Sequence, residues 1–387
     1  MTVMTYLYIS PRDPLIARDG RPFGSGQSNR MRCLDWFYPS VLAGSLRTMV
    51  GKSLGYQFDT NQVALLKSIE VAGPLPCRDN RLYAPAPLDC VIQRDPDRAI
   101  ALRPAPLKDG EGTNLPEPGL QPCQMPRDVE EGFKPGTGPP FWRMDRIADW
   151  LADTDGRSCS VPPRVPLDAG NTDYLDPVRD QRVHVALDAA TGAAREHMLF
   201  TSEGIVLPEG VGISARVKAP DGNAQALSGL DALHSFGGER RIARFQVTDH
   251  SQIWSCPEKV RQALKGGNFV RMILATPAVF AGGWKPGWLD EHLEGSPPGC
   301  RLRLRLMGAC VDRWRPVSGW SLEPPRGPKA IRRLAPAGSV YFFKVTDGET
   351  TDSLASLWLE SVCDEEQARR DGFGLTLWGV WSPHQEG

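Results

Sequence analysis

Long apolar runs, spaced cysteine pairs, histidine clusters and an excess of either charge are all missing from this chain. Each absence removes a class of function. No stretch approaches the ~18 consecutive apolar residues of a membrane span, so a transmembrane reading is excluded. The opening MTVMTYLYISPRD has no basic segment followed by an apolar one. It is expected not to act as a secretory signal, which points to the cytoplasm. Lys+Arg 45 against Asp+Glu 46 leave a net charge of −1. That excludes a uniformly basic nucleic-acid binder but leaves room for a local basic patch. The nine cysteines are odd in number, and no two are spaced C-x-x-C or accompanied by a histidine pair. Neither a zinc site nor a disulfide framework is supported, and the thiols read as reduced.

Catalytic patterns are missing as well. The six histidines show no H-E-x-x-H spacing, and Ser321 stands in GWSLE rather than in a G-x-S-x-G elbow. The segment Gly44-SLRTMV-Gly51-Lys52-Ser53 superficially resembles a phosphate loop. Six residues separate its glycines where the cradle needs four, and it lies inside an apolar-periodic helix instead of before one. No catalytic residue, metal or cofactor is therefore expected.

What is present is α+β patterning over 387 residues, enough for two or three domains. Of the 35 prolines, 18 fall between Pro74 and Pro177, and Arg103–Pro140 has little hydrophobic periodicity. Residues 74–182 thus read as a long Pro-rich insertion, with a short helix over Trp142–Leu151. Around it two half-chains repeat one order of elements. The first has a strand at Met4–Ile9 and a helix at Ser40–Leu54 with Ser40 as its N-cap. A hairpin follows at Val183–Leu187 and His197–Thr201, then a helix at Gln225–Leu233, a glycine loop at Phe236–Arg241 and a strand at Ile242–Val247. The second has strands at Phe269–Ala275, Arg301–Leu306 and Gly338–Val345 and a short helix at Gly287–Leu293. Mostly helical residues 353–370, a second glycine loop (Gly372, Phe373, Gly374) and a strand at Leu375–Val380 complete it. Each half approximates β-α-β-β-α-β, the ferredoxin-like (RRM-like) order. The expected domains are 1–250, carrying the insertion, and 251–387.

Three features suggest contact with nucleic acid. Arg301, Arg303 and Arg305 alternate with leucines, which puts three guanidiniums on one sheet face. From Arg301 to Arg333 nine Lys/Arg, among them Arg326, Lys329, Arg332 and Arg333, face two acids. Trp314 and Trp320 are interleaved, as suits stacked RNA bases. Third, the two glycine loops let the backbone approach a ligand, with N–H groups available to phosphate oxygens. The first adds Arg240 and Arg241 to Gly237 and Gly238, and the second offers Phe373 as a stacking ring. A solvated sheet face and plain turns would explain the same residues. On the Ser40–Leu54 helix Arg47 is the one polar residue expected to reach RNA.

Several segments also match a known family: PRDPLIARDGRPFG (Pro11–Gly24), YPSVLAGSLRT (Tyr38–Thr48), LFTSEGIVLP (Leu199–Pro208) and FGGERR (Phe236–Arg241). TPAVFAGGWKPGWL (Thr276–Leu289), VSGWSLEPPRGPKAIRRLAPAGSVYFF (Val317–Phe343) and GFGLTLWGVW (Gly372–Trp381) extend the match. Together they resemble the third subunit of the Cmr module, a RAMP-superfamily protein of type III-B CRISPR effector complexes. The resemblance implies two ferredoxin-like RAMP domains that bind and cap the 5′ repeat-derived tag of the guide RNA in antiviral defence. It implies contacts with the large polymerase/cyclase-like subunit and with the first backbone subunit, and no catalysis. The insertion matches nothing in the resemblance. Two other readings stay open: a metal-independent endoribonuclease that processes guide precursor, with His234 in general acid–base transfer, and a scaffold subunit touching proteins only.

Overall fold

A computed structural model describes residues 2–19, 21, 29–94, 98–126, 132–153, 172–321, 325–348 and 350–383. It is α+β, mostly strands with few helices. Contacts divide it into two units, 1–79 with 177–249 and 316–332, and 80–176 with 250–315 and 333–387. No helix among the described residues is long and apolar enough to cross a membrane.

In the first unit the alternating segment TVMTYLYISP becomes the strand Thr2–Pro11, with Leu7 and Ile9 fully buried. It lies between Ile242–Thr248 and Val211–Pro220, antiparallel to both, with Ile9 opposite Phe245 on one side and Ile213 on the other. Asp231–Ser235 pairs outside the former and Glu70–Arg78 outside the latter, again antiparallel. The helix Pro39–Ser53 begins on a proline, whose locked φ suits a first helical position. Its Leu42, Leu46, Met49 and Val50 are buried against this sheet, and each such side chain contributes roughly 1.5–3 kcal/mol. The residue preceding the helix is Tyr38, which makes no side-chain cap, so the expected Ser40 cap is not formed.

The second unit is organised around Phe269–Leu274, which lies between Val340–Asp347 and Thr376–Val380, antiparallel to both. Arg303–Cys310 adds beyond Val340–Asp347, and Glu294–Gly295 beyond that. The expected alternation holds: Leu302, Leu304 and Leu306 are fully buried, and Arg301, Arg303 and Arg305 are exposed. The central strand carries a buried charge, Arg271. Its Nη1 donates to Asp89 Oδ2 at 2.9 Å, Trp150 Nε1 donates to Asp89 Oδ1 at 2.9 Å, and Arg271 Nη2 donates to the Trp150 carbonyl. Burial raises the Asp89 carboxyl above its ordinary range, while Arg271 and the Trp150 indole pull it back.

Several expectations need correction. The expected insertion is not bounded at 74 and 182, because Glu70–Arg78 and Val178–Leu187 are each one continuous strand across those positions. Residues 80–176 group with the second unit, not the first. They carry the helix Met144–Ala152, whose Leu151 lies where a Cβ on Gly379 would meet it at 2.5 Å. Helix at Gln225–Leu233 stops at Leu227, because Gly229 adopts φ +66° and Asp231–Ser235 joins the sheet edge. Gly287–Leu293 is a set of turns in which Asp290 Oδ1 accepts from the backbone N–H of His292 and Glu294, a local alternative to helix. Helical structure in 353–370 shrinks to the 3₁₀ segment Thr351–Leu357 and the short helix Glu366–Arg370.

Candidate nucleic-acid interface

The first glycine loop is the turn of a hairpin, joining Asp231–Ser235 to Ile242–Thr248. The Phe236 N–H donates to the Arg241 carbonyl at 2.8 Å, and the Arg241 N–H to the Gly238 carbonyl at 3.2 Å. Gly237 sits at φ +79°, and a Cβ there would meet the Ile16 carbonyl oxygen at 2.4 Å. The Gly238 N–H donates to that same oxygen at 2.7 Å. The glycines therefore serve the fold: they let the turn lie on the Ile16 backbone, and Gly238 and Arg241 have spent their N–H groups on the protein itself. What the turn presents outward is charge. Arg240 is exposed and Arg241 half-exposed, and neither has an ion pair among the described residues. Nearby Arg244, by contrast, is held by Asp231 at 2.6 Å, and that hydrogen bond keeps the Asp231 carboxyl below its usual range.

His234 stands on the strand leading into this turn, with its ring edge-on to Phe245 at 6.4 Å. Burial first, and the charge of Lys52 second, lower its pKa, so the neutral ring prevails. Its Nε2 is buried and, among the described residues, unpartnered. A shuttling base needs that nitrogen within reach of substrate. Arg47 is half-buried on its helix and donates Nη2 to the Ile69 carbonyl at 2.6 Å, tying the helix to the start of the Glu70–Arg78 strand.

The basic segment read as one patch divides between the units. Arg326, Lys329 and Arg332 fall in the first, Arg333 in the second. In the first, Trp320–Ser321 pairs with Gly327–Pro328, and the Lys329 N–H donates to the Gly319 carbonyl at 2.8 Å, which leaves Arg326 and Lys329 exposed. In the second, Arg333 lies over the Trp314 ring, 4.9 Å from its centroid. Of the three alternating arginines, Arg303 is compensated by Glu294 at 3.2 Å and Asp290 at 3.4 Å.

The second glycine loop is a different object. Residues 371–380 are all buried, and Phe373 is 0% exposed. The Thr276 hydroxyl donates to the Gly372 carbonyl at 2.7 Å and accepts the Leu375 N–H at 2.9 Å. The Gly374 N–H donates to the Pro277 carbonyl at 2.8 Å. Gly374 is at φ +67°, with the Cys363 Sγ 2.6 Å from where a Cβ would stand. The stacking role expected of Phe373 is corrected by this burial: no face of its ring is open to a base. An aromatic that the sequence reading passed over is Trp284, half-buried beside a two-glycine turn and lining the same cavity as Trp314. Its flag in the sequence is the tryptophan straight after Gly282–Gly283.

Residues 7–381 match the family described as CRISPR-associated protein (Cas_Cmr3). No curated protein matches the chain. Among solved structures, a chain of the cryo-EM structure of the Type III-B Cmr-beta bound to cognate target RNA is similar at 13% identity and a TM-score of 0.48, over 87% of this chain and 86% of that one. A chain of the Csm3-Csm4 subcomplex in the type III-A CRISPR-Cas interference complex is similar at 11% identity and a TM-score of 0.38, over 90% and 94%.

Proposed function

Because the chain belongs to the Cas_Cmr3 family of CRISPR-associated proteins, we propose that it binds and caps the 5′ repeat-derived tag of the guide RNA in a type III-B effector complex, without cutting it. In this reading it meets the large polymerase/cyclase-like subunit and the first backbone subunit, and it works in the cytoplasm. The observation that carries the reading is the family match over residues 7–381. The geometry adds a means: uncompensated Arg240 and Arg241 on a turn whose backbone is fixed by Ile16. Phosphate neutralisation by such side chains is sequence-independent and fits a backbone-gripping cap. The two RAMP domains of this reading are ferredoxin-like. The strand arrangement supports it, since Thr2–Pro11 lies between Val211–Pro220 and Ile242–Thr248 in the first unit as Phe269–Leu274 lies between Val340–Asp347 and Thr376–Val380 in the second, all antiparallel.

The test is reconstitution of the complex with guide RNA, comparing the natural chain with an Arg240→Ala/Arg241→Ala variant. Weaker retention of the guide and exposure of its 5′ tag to nuclease are expected from the variant. Unchanged tag protection would remove these arginines from the interface. A complex that never protects the tag would overturn the function.

A further inference from the structure

We propose that the cavity beside Trp314 in the second unit is a binding site for a single unstacked nucleotide. It has a volume of about 490 Å³ and a mostly apolar lining, within the range of small-molecule sites. Two tryptophans line it, Trp284 half-buried and Trp314 46% exposed. The Arg333 guanidinium lies over the Trp314 ring at 4.9 Å, and Arg313 stands on the same rim with no side-chain partner among the described residues. Asp312 is the opposing charge, with one oxygen taken by the Arg313 backbone N–H and the other 4.0 Å from Arg315.

The walls are formed in advance. Ala278 and Ala335 exchange backbone hydrogen bonds of 2.9 and 3.0 Å, the Gln121 N–H donates to the Met307 carbonyl at 2.8 Å, and the Trp284 carbonyl accepts from Tyr341 Oη at 2.6 Å. A planar ring entering the cavity meets aromatic and apolar surface, while two guanidiniums wait at its mouth for an anion. A ligand that is flat, aromatic and negatively charged uses both features. An aliphatic side chain would leave the arginines idle, and a cationic ligand would be repelled by them. A nucleotide fits, whether free or splayed from an RNA strand. That an RNA strand supplies it rests on the function proposed above; the site itself does not.

The experiment has two arms. In the first, the full chain is titrated with UMP and AMP while tryptophan fluorescence is followed, for the natural chain and for Trp314→Ala, Trp314→Phe and Arg333→Ala. Quenching is expected with the natural chain, with affinity lowered about tenfold by Trp314→Ala and largely kept by Trp314→Phe. In the second, the reconstituted complex carrying photoreactive guide RNA is mapped for crosslinks. Crosslinks at Trp284 or Trp314 that vanish in Trp314→Ala identify a splayed RNA nucleotide as the occupant. Binding in the first arm alone identifies a free nucleotide and leaves the site standing even if no guide RNA is held. No Trp314-dependent binding in either arm overturns the site, including the case where only a hydrophobic peptide fills it. Tag protection that persists in that case keeps the proposed function intact.

Discussion

The turn at 236–241 and the junction at 372–374 use glycine to opposite ends. At the turn, Gly237 lets a hairpin lie on the Ile16 backbone and so pushes Arg240 into water. At the junction, Gly372 and Gly374 let a chain reverse inside the core, stitched to Thr276 and Pro277 on both sides. One loop is a stand for charge and the other a seam. The same residue type, read locally, suggests a ligand in both places. Depth alone separates them, and depth is set by residues about a hundred positions away.

Substitutions can break or sharpen that contrast. The largest effect belongs to Phe373→Ala, which empties a fully buried ring site and should remove about 3–5 kcal/mol of stability. Calorimetry reads it; an unshifted melting temperature with poorer RNA binding would return Phe373 to a stacking role. Gly374→Val follows at about 2–4 kcal/mol, since it puts a branched side chain at φ +67° against Cys363. Soluble, normally melting protein from this change would mean that the junction is looser than its contacts.

On the first unit, Arg47→Ala removes the bond to the Ile69 carbonyl and should cost about 1.5–3 kcal/mol, seen in urea unfolding. Weaker guide retention at natural stability would instead place Arg47 on RNA. The Arg240→Ala/Arg241→Ala pair should leave melting within about 0.5 kcal/mol of the natural chain. It should flatten the log–log dependence of RNA affinity on salt by about 0.7 per lost phosphate contact. Lost stability would make the turn a seam like its counterpart. The smallest effect concerns His234. Its folded-state pKa lies below the ordinary 6.5, so the unfolded chain binds more protons in acid. Stability present above pH 6.5 should decline as pH falls through the folded value, and His234→Phe should soften the decline. An identical acid profile in that variant would show the ring to be less buried than its packing implies.

Much of this fold was legible because period-two burial is written locally. Arg301–Leu306 reads as a strand with three leucines inside; all three leucines are buried, while the strand itself runs from Arg303 to Cys310. The same holds for the first strand and for Ile242–Thr248. Short apolar stretches were not legible: Asp231–Ser235 has enough apolar character for either helix or strand, and pairing with Ile242–Thr248 decides it. Of the candidate site, the positions of the exposed arginines could be read but not their compensation. Nothing near Arg303 in sequence announces Asp290, and nothing near Asp89 announces Arg271.

The buried pair also sets a schedule for the newly made chain. Asp89 precedes Arg271 by 182 residues, so at about 5–20 residues per second the carboxylate waits roughly ten to forty seconds for its guanidinium. The strand that completes the same sheet, Thr376–Val380, is synthesised later still. Until then Asp89 remains hydrated, and the apolar segments around it have no finished sheet to cover. The second unit can thus close only after Val380 has left the ribosome. Its reliance on distant pairings places it among slow-folding topologies, where overproduction without chaperones favours aggregation over assembly.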